Sequence, residues 1–227
     1  MAKQPFRHTR EEILGLSVPL FATVGFDGVS MRDIAAAVGV TPAALYHHFS
    51  DKAQLCLDAV GYAFEEKMGP LKSLLDGEGK PWDRLEAFVI DLTRMLAREK
   101  DFRRLMQWVL LDNDEQRLQS LADCVFRDLF SALHKLAGEL APVYDAHLLV
   151  VSMFGLVIYP FETQSVRRFL PGHQQQHEDP EVIARHVVGL LRNGLGASNE
   201  VTSHERPTQG KRAEQTFLLH DCKEKKR

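Results

Sequence analysis

Four helix-start signals follow one another within the first 51 residues, and their spacing constrains the fold more than any other feature of the chain. Each is a Ser, Thr or Asp whose side chain can accept a hydrogen bond from a free amide in the first turn of a helix. Two are followed three residues later by an acidic residue, as in a capping box, and a third is followed directly by proline, which favours the first helical position. These signals predict helices that begin after Thr9, Ser30, Thr41 and Asp51.

The second and third of these helices are short and are separated by a tight turn at Gly39. In the segment SMRDIAAAVGVTPAALYHHF, from Ser30 to Phe49, apolar residues recur where such a pair would bury one face against the first helix. The outer face of the third helix then presents small and polar side chains. This face consists of Thr41, Ala43, Ala44, His47 and His48.

A helix with such an outer face is suited to the major groove of DNA. The groove of B-DNA is about 12 Å wide and admits an α-helix, and two adjacent alanines let the backbone approach the base edges. Helix N-termini offer free amides to phosphates, and Arg32, Tyr46 and Lys52 can donate hydrogen bonds to the same oxygens. The alternative is a generic helical hairpin packed in a larger bundle, since helical pairs joined at a glycine turn are common.

The stretch REEILGLSVPLFATVGFDGVSMRDIAAAVGVTPAALYHHFSDKAQL resembles the N-terminal domain of the TetR family of bacterial transcriptional regulators. The resemblance covers about the first 65 residues, where G-F, S-M-R-D-I-A, G-V, A-L-Y-H-H-F and D-K-x-x-L occur in order; later residues resemble the family only in architecture. It implies an all-α protein. A three-helix helix-turn-helix domain would be joined by a long helix to a helical ligand-binding and dimerisation domain.

The resemblance also implies roles for individual residues. Thr41 to His47 would form the start and the exposed face of the recognition helix, and Ser30 would cap the second helix against a phosphate. Tyr46 and Lys52 would contact phosphates, whereas His48 would pack within the domain. The predicted DNA-binding residues are Ser30, Arg32, Thr41, Pro42, Ala43, Ala44, Tyr46, His47 and Lys52.

The rest of the chain predicts further helices and no strands. A long helix from Lys52 to about Met68 is followed by GPLKSLLDGEGKP, a stretch rich in helix breakers that predicts a linker. Helical periodicity returns at Trp82, and after residue 196 a polar composition without any period predicts a disordered tail. The predicted units are a DNA-binding domain at 1–52 with its linking helix at 52–68, a ligand-binding and dimerisation domain at 69–195, and the tail at 196–227.

Pro19 lies inside the first predicted helix and departs from the family pattern. Proline cannot donate a hydrogen bond to the carbonyl of Gly15, and an interior proline costs about 3 kcal/mol or kinks a helix. We therefore expect a kink or a local break between residues 15 and 19.

Two later helices, at about 148–160 and 181–194, predict a homodimer because they carry more apolar surface than one small bundle easily hides. The resemblance implies that this pair forms a four-helix interface with a two-fold mate. Two recognition helices about 34 Å apart would then reach successive major grooves of double-stranded DNA and read a palindromic operator.

The resemblance further implies a pocket for a small effector. The aromatic and methionine side chains of this region favour an apolar or amphipathic effector. For any single residue an ordinary place in the core is the more common alternative. The candidate lining residues are Phe88, Leu92, Met95, Trp108, Phe126, Phe130 and Met153.

Enzymatic chemistry finds no support, because GxGxxG, Walker A, GxSxG and HExxH patterns are absent. We therefore predict no catalytic residue, no cofactor and no metal. His173 and His177 are four residues apart and could share a helical face, as metal ligands do. They lie in a glutamine-rich stretch without a nearby cysteine, however, so a solvated loop is the better interpretation.

The N-terminus has no apolar core typical of a signal peptide, and the longest apolar run, Leu148 to Tyr159, is shorter than the roughly 20 residues of a membrane span. These features predict a cytoplasmic protein that does not bind membranes.

The net charge of −3 by itself argues against a nucleic-acid partner. Its distribution changes that inference, because the first 52 residues carry five basic and five acidic side chains and the acidity lies in the later domain. Two functions remain: a ligand-responsive regulator, most simply a repressor, and a DNA-binding structural or partner-binding factor without an effector. A closed, drug-sized pocket would favour the first, and a filled core with an exposed protein-binding patch would favour the second.

Overall fold

The computed structural model describes residues 8–196, and within that range the chain is helical, with no strands. The predicted all-α fold, with a helix-turn-helix domain followed by a helical domain, is confirmed. None of the described helices is long and apolar enough to cross a membrane. The elements are α1 (Arg10–Val24), α2 (Met31–Val38), α3 (Pro42–His48), α4 (Lys52–Asp76), α5 (Pro81–Arg98), α6 (Lys100–Leu110), α7 (Glu115–Leu121), a π-helical segment (Ala122–Phe126), α8 (Arg127–Leu140), α9 (Ala146–Glu162), α10 (Gln164–Arg167), a 3₁₀ turn (Gln175–Glu178) and α11 (Pro180–Gly196).

All four predicted helix starts are confirmed. Thr9 and Ser30 each form a reciprocal capping box, in which the hydroxyl accepts from the amide three residues on and that residue's carboxylate accepts from the cap amide. The side chains of Thr41 and Asp51 accept from the amides of Ala44 and Gln54. The three helices that follow the first three caps surround a small apolar core, in which Phe21, Ile34, Leu45 and Phe49 are fully buried.

The linking helix is longer than predicted. α4 continues from Lys52 to Asp76 through Gly69 and Pro70, so the predicted end at residue 68 is wrong and the chain between α4 and α5 is only residues 77–80. The reason is tertiary packing: Met68, Leu71 and Leu75 are buried, and α4 packs against both α5 and α8. This burial outweighs the low helix propensity of glycine and proline.

The predicted break in α1 is also wrong, because the helix continues without interruption through Pro19. Burial on both sides of the proline supports the helix there: Ile13 and Phe21 are fully buried, and Ser17 donates its hydroxyl to the Ile13 carbonyl at 2.7 Å. α1 also packs along α4 and α6, which holds its axis in place. A bend at Pro19 stays a prediction.

The helical stretch from Glu115 to Leu140 is divided into α7, the π-helical segment and α8. A π-helical turn closes hydrogen bonds one residue further along the chain than an α-helical turn, so it widens the helix and changes the direction of the side chains that follow. After this segment α8 packs against α5 and α9, and α11 packs against the same two helices, so these four helices form the C-terminal bundle.

Candidate nucleic-acid interface

The third helix exposes the side chains that the sequence predicts to face DNA. Leu45 anchors α3 in the core, while Thr41, Pro42 and Ala43 at its start are exposed. Tyr46 and His47 are exposed as well, and the tyrosine side chain keeps 56% of its surface accessible. Ala44 and His48 are half-buried; the His48 ring contacts Phe49 at 6.2 Å between centroids. Its place is therefore within the domain.

The start of α2 is an ordered, polar corner next to α3. The hydroxyl of Ser30 donates to Asp33 Oδ2 at 2.5 Å and its amide donates to the same oxygen at 2.8 Å. These hydrogen bonds from the Ser30 side chain and backbone lower the pKa of Asp33 below its usual value, so its carboxylate is ionised at neutral pH. Arg32 between them is exposed to solvent.

Lys52 lines the same groove as Tyr46 and Arg32, but its ammonium group donates hydrogen bonds to backbone carbonyls of the protein. Nζ donates to the carbonyl oxygens of Phe26 at 2.9 Å and Val29 at 3.0 Å, both in the loop between α1 and α2. An ammonium group has three donors, so one is left for a phosphate oxygen. Lys52 therefore fixes the loop that positions α2, in addition to the phosphate contact that the sequence predicts.

We expect Lys52→Met to lower the free energy of unfolding by about 2 kcal/mol, because two loop carbonyls lose a charged donor. DNA affinity should fall about tenfold, since the start of α2 is no longer held. Chemical denaturation and a DNA-binding titration measure the two effects. Lys100→Met removes an exposed lysine at the start of α6 and serves as the control. Equal stability of the two variants would contradict the role of Lys52.

The loop between α1 and α2 is also contacted by two side chains of later helices, one on α6 and one on α7. The ring of Trp108 covers Gly25, and its Nε1 donates to the Ala22 carbonyl at 3.3 Å. The guanidinium of Arg117 lies 5.6 Å from the centre of the Phe26 ring and is paired with the carboxylate of Asp112. The hydrogen bond from Arg117 holds the pKa of Asp112 below its usual value, which keeps this pair charged.

Trp108, which the sequence makes a candidate pocket residue, thus lies against the loop between α1 and α2. No sequence signal indicates this contact, because a local pattern does not relate residues 86 positions apart. In the structure Gly25 has a φ of 74°, a conformation that favours glycine, and the absence of a side chain there leaves room for the Trp108 ring.

The other pocket candidates fall into two groups. Phe88, Leu92 and Met153 are buried in the core, and Met95 is half-buried beside it. Phe126 and Phe130 are half-buried and line an open cleft of about 530 Å³ between the π-helical segment, α8 and the start of α9. The structure therefore brings two of the seven together in one cleft.

Two helices of the C-terminal domain expose apolar faces. On α9, Leu148, Val151, Leu156 and Tyr159 are exposed although the helix is almost wholly apolar. On α11, Leu190 is 48% exposed. α9 and α11 pack against each other, so these exposed side chains belong to neighbouring helices.

No group of three residues that could hold a metal ion occurs within residues 8–196. His173 pairs with Glu178 at 3.0 Å, and the Nδ1 atom of His177 accepts from the Gln174 amide at 3.1 Å. Both histidines are half-buried; His177 lies in the 3₁₀ turn and His173 precedes it, and the glutamines between them are exposed. The predicted tail at 196–227 lies outside the described residues, apart from Gly196 at its start.

Comparison with known proteins agrees with this arrangement. Residues 13–59 match the sequence profile of the bacterial regulatory proteins of the tetR family. The chain is 29% identical over 112 residues to the HTH-type transcriptional repressor KstR2 of Mycolicibacterium smegmatis, a match that covers 49% of this chain and spans about half, 52%, of that repressor. It is 30% identical over 141 residues to the nucleoid occlusion factor SlmA of Photobacterium profundum, which covers 61% of this chain and 71% of that factor.

The fold is also found among solved structures. The structure of AibR in complex with isovaleryl coenzyme A and operator DNA superposes with a TM-score of 0.62 at 24% identity. The superposition covers 80% of this chain and 97% of AibR. At this identity the match establishes a shared fold.

Proposed function

Since the chain belongs to the TetR family of bacterial regulatory proteins, we propose that it is a transcriptional repressor that binds a palindromic operator as a homodimer and is released by a small effector. It is a DNA-binding regulator and not an enzyme. The observation that carries the proposal is the exposed face of α3, which presents Thr41, Ala43, Tyr46 and His47 beside the capped start of α2. Small side chains on a short exposed helix suit close approach to base edges.

Selection of bound fragments from genomic DNA with the purified protein tests the operator. We expect enriched fragments to share a palindrome whose half-sites are about one helical turn apart, because a two-fold dimer presents two equal recognition helices. Phosphate contacts alone would enrich no sequence. Enrichment without a shared palindrome would therefore contradict the proposal.

The exposed apolar faces of α9 and α11 support the homodimer. A monomer rarely leaves so many large apolar side chains of two adjacent helices in water, and a matching face on a second copy would cover them. These helices correspond to the expected interface at about 148–160 and 181–194.

We expect Val151→Glu to weaken dimerisation at least tenfold, because the charge would be buried between two copies of α9 without a partner. Light scattering after size-exclusion chromatography should show a shift towards the monomer mass, while circular dichroism stays unchanged. Val24→Glu places the same charge on an exposed position of α1 and should leave the mass unchanged. If Val151→Glu behaves like Val24→Glu, the interface lies elsewhere.

Release by an effector requires the bound ligand to favour a conformation in which the recognition helices are misplaced. Its effect on DNA affinity equals its differential affinity for the two conformations, and about 3 kcal/mol releases DNA roughly 100-fold. Two connections can carry this coupling: α4, which begins at Lys52, and the contact of Trp108 and Arg117 with the α1–α2 loop. AibR, which shares the fold, is solved with both a coenzyme A thioester and operator DNA.

A second function is favoured by two observations. Val166, Phe169 and Leu170, which follow α9, are strongly exposed. The cleft is open, whereas a ligand-responsive repressor would be favoured by a closed pocket. SlmA, to which the chain is similar, is a nucleoid occlusion factor. A DNA-binding factor that acts through a partner protein would bind its operator equally well with and without any small molecule, which separates the two functions.

A further inference from the structure

The open cleft between the π-helical segment, α8 and α9 has an apolar floor and a basic rim. Phe126, Phe130 and Val150 form the floor, and the volume of about 530 Å³ lies in the range of small-molecule sites. The charged and titratable side chains of its lining are Arg127, His134, Lys135 and His147, all of them basic. No acidic residue lines it.

The floor is supported by a second layer of aromatic rings. Phe126 meets Phe64 of α4 at 5.0 Å between centroids, edge to face, and Phe130 meets Phe154 of α9 at 5.5 Å. Such pairs fix the ring positions and add stability beyond the area they bury. The floor is therefore a pre-formed apolar surface, and its contact with α4 links it to the helix that begins in the DNA-binding domain.

Glu139 and Asp145 near the cleft are engaged away from it, since Glu139 pairs with Arg84 and Asp145 caps α9 through the Leu148 amide. Asp123, in contrast, pairs with Arg127 of the lining, so Lys135 is the main source of positive charge at the rim. An uncharged ligand would leave this charge unused, whereas an anion would be held by charge-assisted hydrogen bonds.

We propose that this cleft binds an anionic amphipathic effector, with its apolar chain on the Phe126 and Phe130 rings and its carboxylate or phosphate at Lys135 and Arg127. The inference rests on the proposed ligand-responsive function and narrows the apolar or amphipathic effector expected from the sequence to an anionic amphipathic one. Both a free carboxylate and a phosphate-bearing thioester carry the required chemistry.

Calorimetric titration of the full chain with decanoate, decanoyl coenzyme A and decanol tests the class of ligand. At least one of the two anions should bind ten times more tightly than decanol, which has the same chain without the charge. Decanoate alone would assign a free carboxylate, and decanoyl coenzyme A alone would assign a phosphate-bearing carrier. Decanol binding as tightly as both anions, or no binding by either anion, would overturn the proposal.

The variants Lys135→Gln and Arg127→Gln should each weaken anion binding at least tenfold and leave decanol binding unchanged. Lys100→Gln, which removes an exposed lysine outside the cleft, should change neither. Equal anion affinity of Lys135→Gln, Arg127→Gln and the unmodified chain would place the anion elsewhere and overturn the assignment.

Operator affinity measured on the same preparations separates this inference from the proposed function. Operator binding without anion binding would refute the cleft and leave the DNA-binding regulator intact. Anion binding that depends on Lys135 but leaves operator affinity unchanged would confirm the site and refute release by an effector.

Discussion

Replacing Gly25 with alanine is expected to lower the free energy of unfolding by about 3 kcal/mol. Gly25 has φ 74° and ψ 179°, a backbone region that is essentially restricted to glycine and costs another residue about 1–3 kcal/mol. A Cβ atom there would also lie 2.8 and 2.9 Å from two carbon atoms of the Trp108 ring, closer than van der Waals contact allows. Chemical denaturation measures the change.

A double-mutant cycle separates the two causes. Trp108→Ala in the Gly25→Ala background removes the clash but not the backbone strain. The double variant should therefore lose less stability than the sum of the losses of the two single variants. Gly138→Ala is the matched control: this glycine lies within α8 with no atom near its Cβ position, and alanine there should raise stability by up to about 1 kcal/mol. If both glycine variants are equally stable, Trp108 does not hold the loop.

Ala43→Glu is expected to weaken operator binding at least 100-fold, or about 2.7 kcal/mol. Ala43 is the second residue of α3 and is exposed on the face that we assign to the major groove. A carboxylate there would meet the negative field of the phosphates and keep the helix from the base edges. The same carboxylate is favourable near a helix N-terminus, so the stability of the folded protein should not fall.

Two control variants identify the cause of this loss. Ala43→Gln has almost the same size without the charge and should bind DNA better than Ala43→Glu, but more weakly than the unmodified chain. Gln116→Glu adds the same charge on an exposed position of α7 and should leave DNA binding nearly unchanged. A titration in which Ala43→Glu binds like the unmodified chain would remove α3 from the groove.

The helices of the DNA-binding domain could be predicted because their signals are local. Thr41 caps α3 and Ser30 caps α2 through atoms three residues away, so a short stretch of sequence contains both partners of each hydrogen bond. The exposed positions of α3 follow from the same register once Leu45 is assigned to the core.

Other features depend on partners that are distant in the sequence. α4 continues through Pro70 because Leu71 and Leu75 pack against later helices, and propensity alone predicts an end there. Residue type alone makes Trp108 a pocket candidate, whereas in the structure its ring lies over Gly25, where the missing side chain leaves room for it. Residue type places Phe126 and Phe130 among the pocket candidates, but the sequence does not predict their shared cleft, because no sequence pattern indicates the π-helical segment that ends at Phe126.

The π-helical segment at Ala122–Phe126 has a consequence for how this region can change in length. A π-helical turn holds one residue more than an α-helical turn, so a deletion of one residue here would leave a regular α-helix. Because each residue of an α-helix turns the chain by about 100°, that deletion would rotate α7 relative to α8 by about this angle, while Phe130, Arg127 and Lys135 on α8 would keep their mutual arrangement. The extra residue therefore sets the angle between Arg117 of α7, which contacts Phe26 in the α1–α2 loop, and the cleft residues of α8.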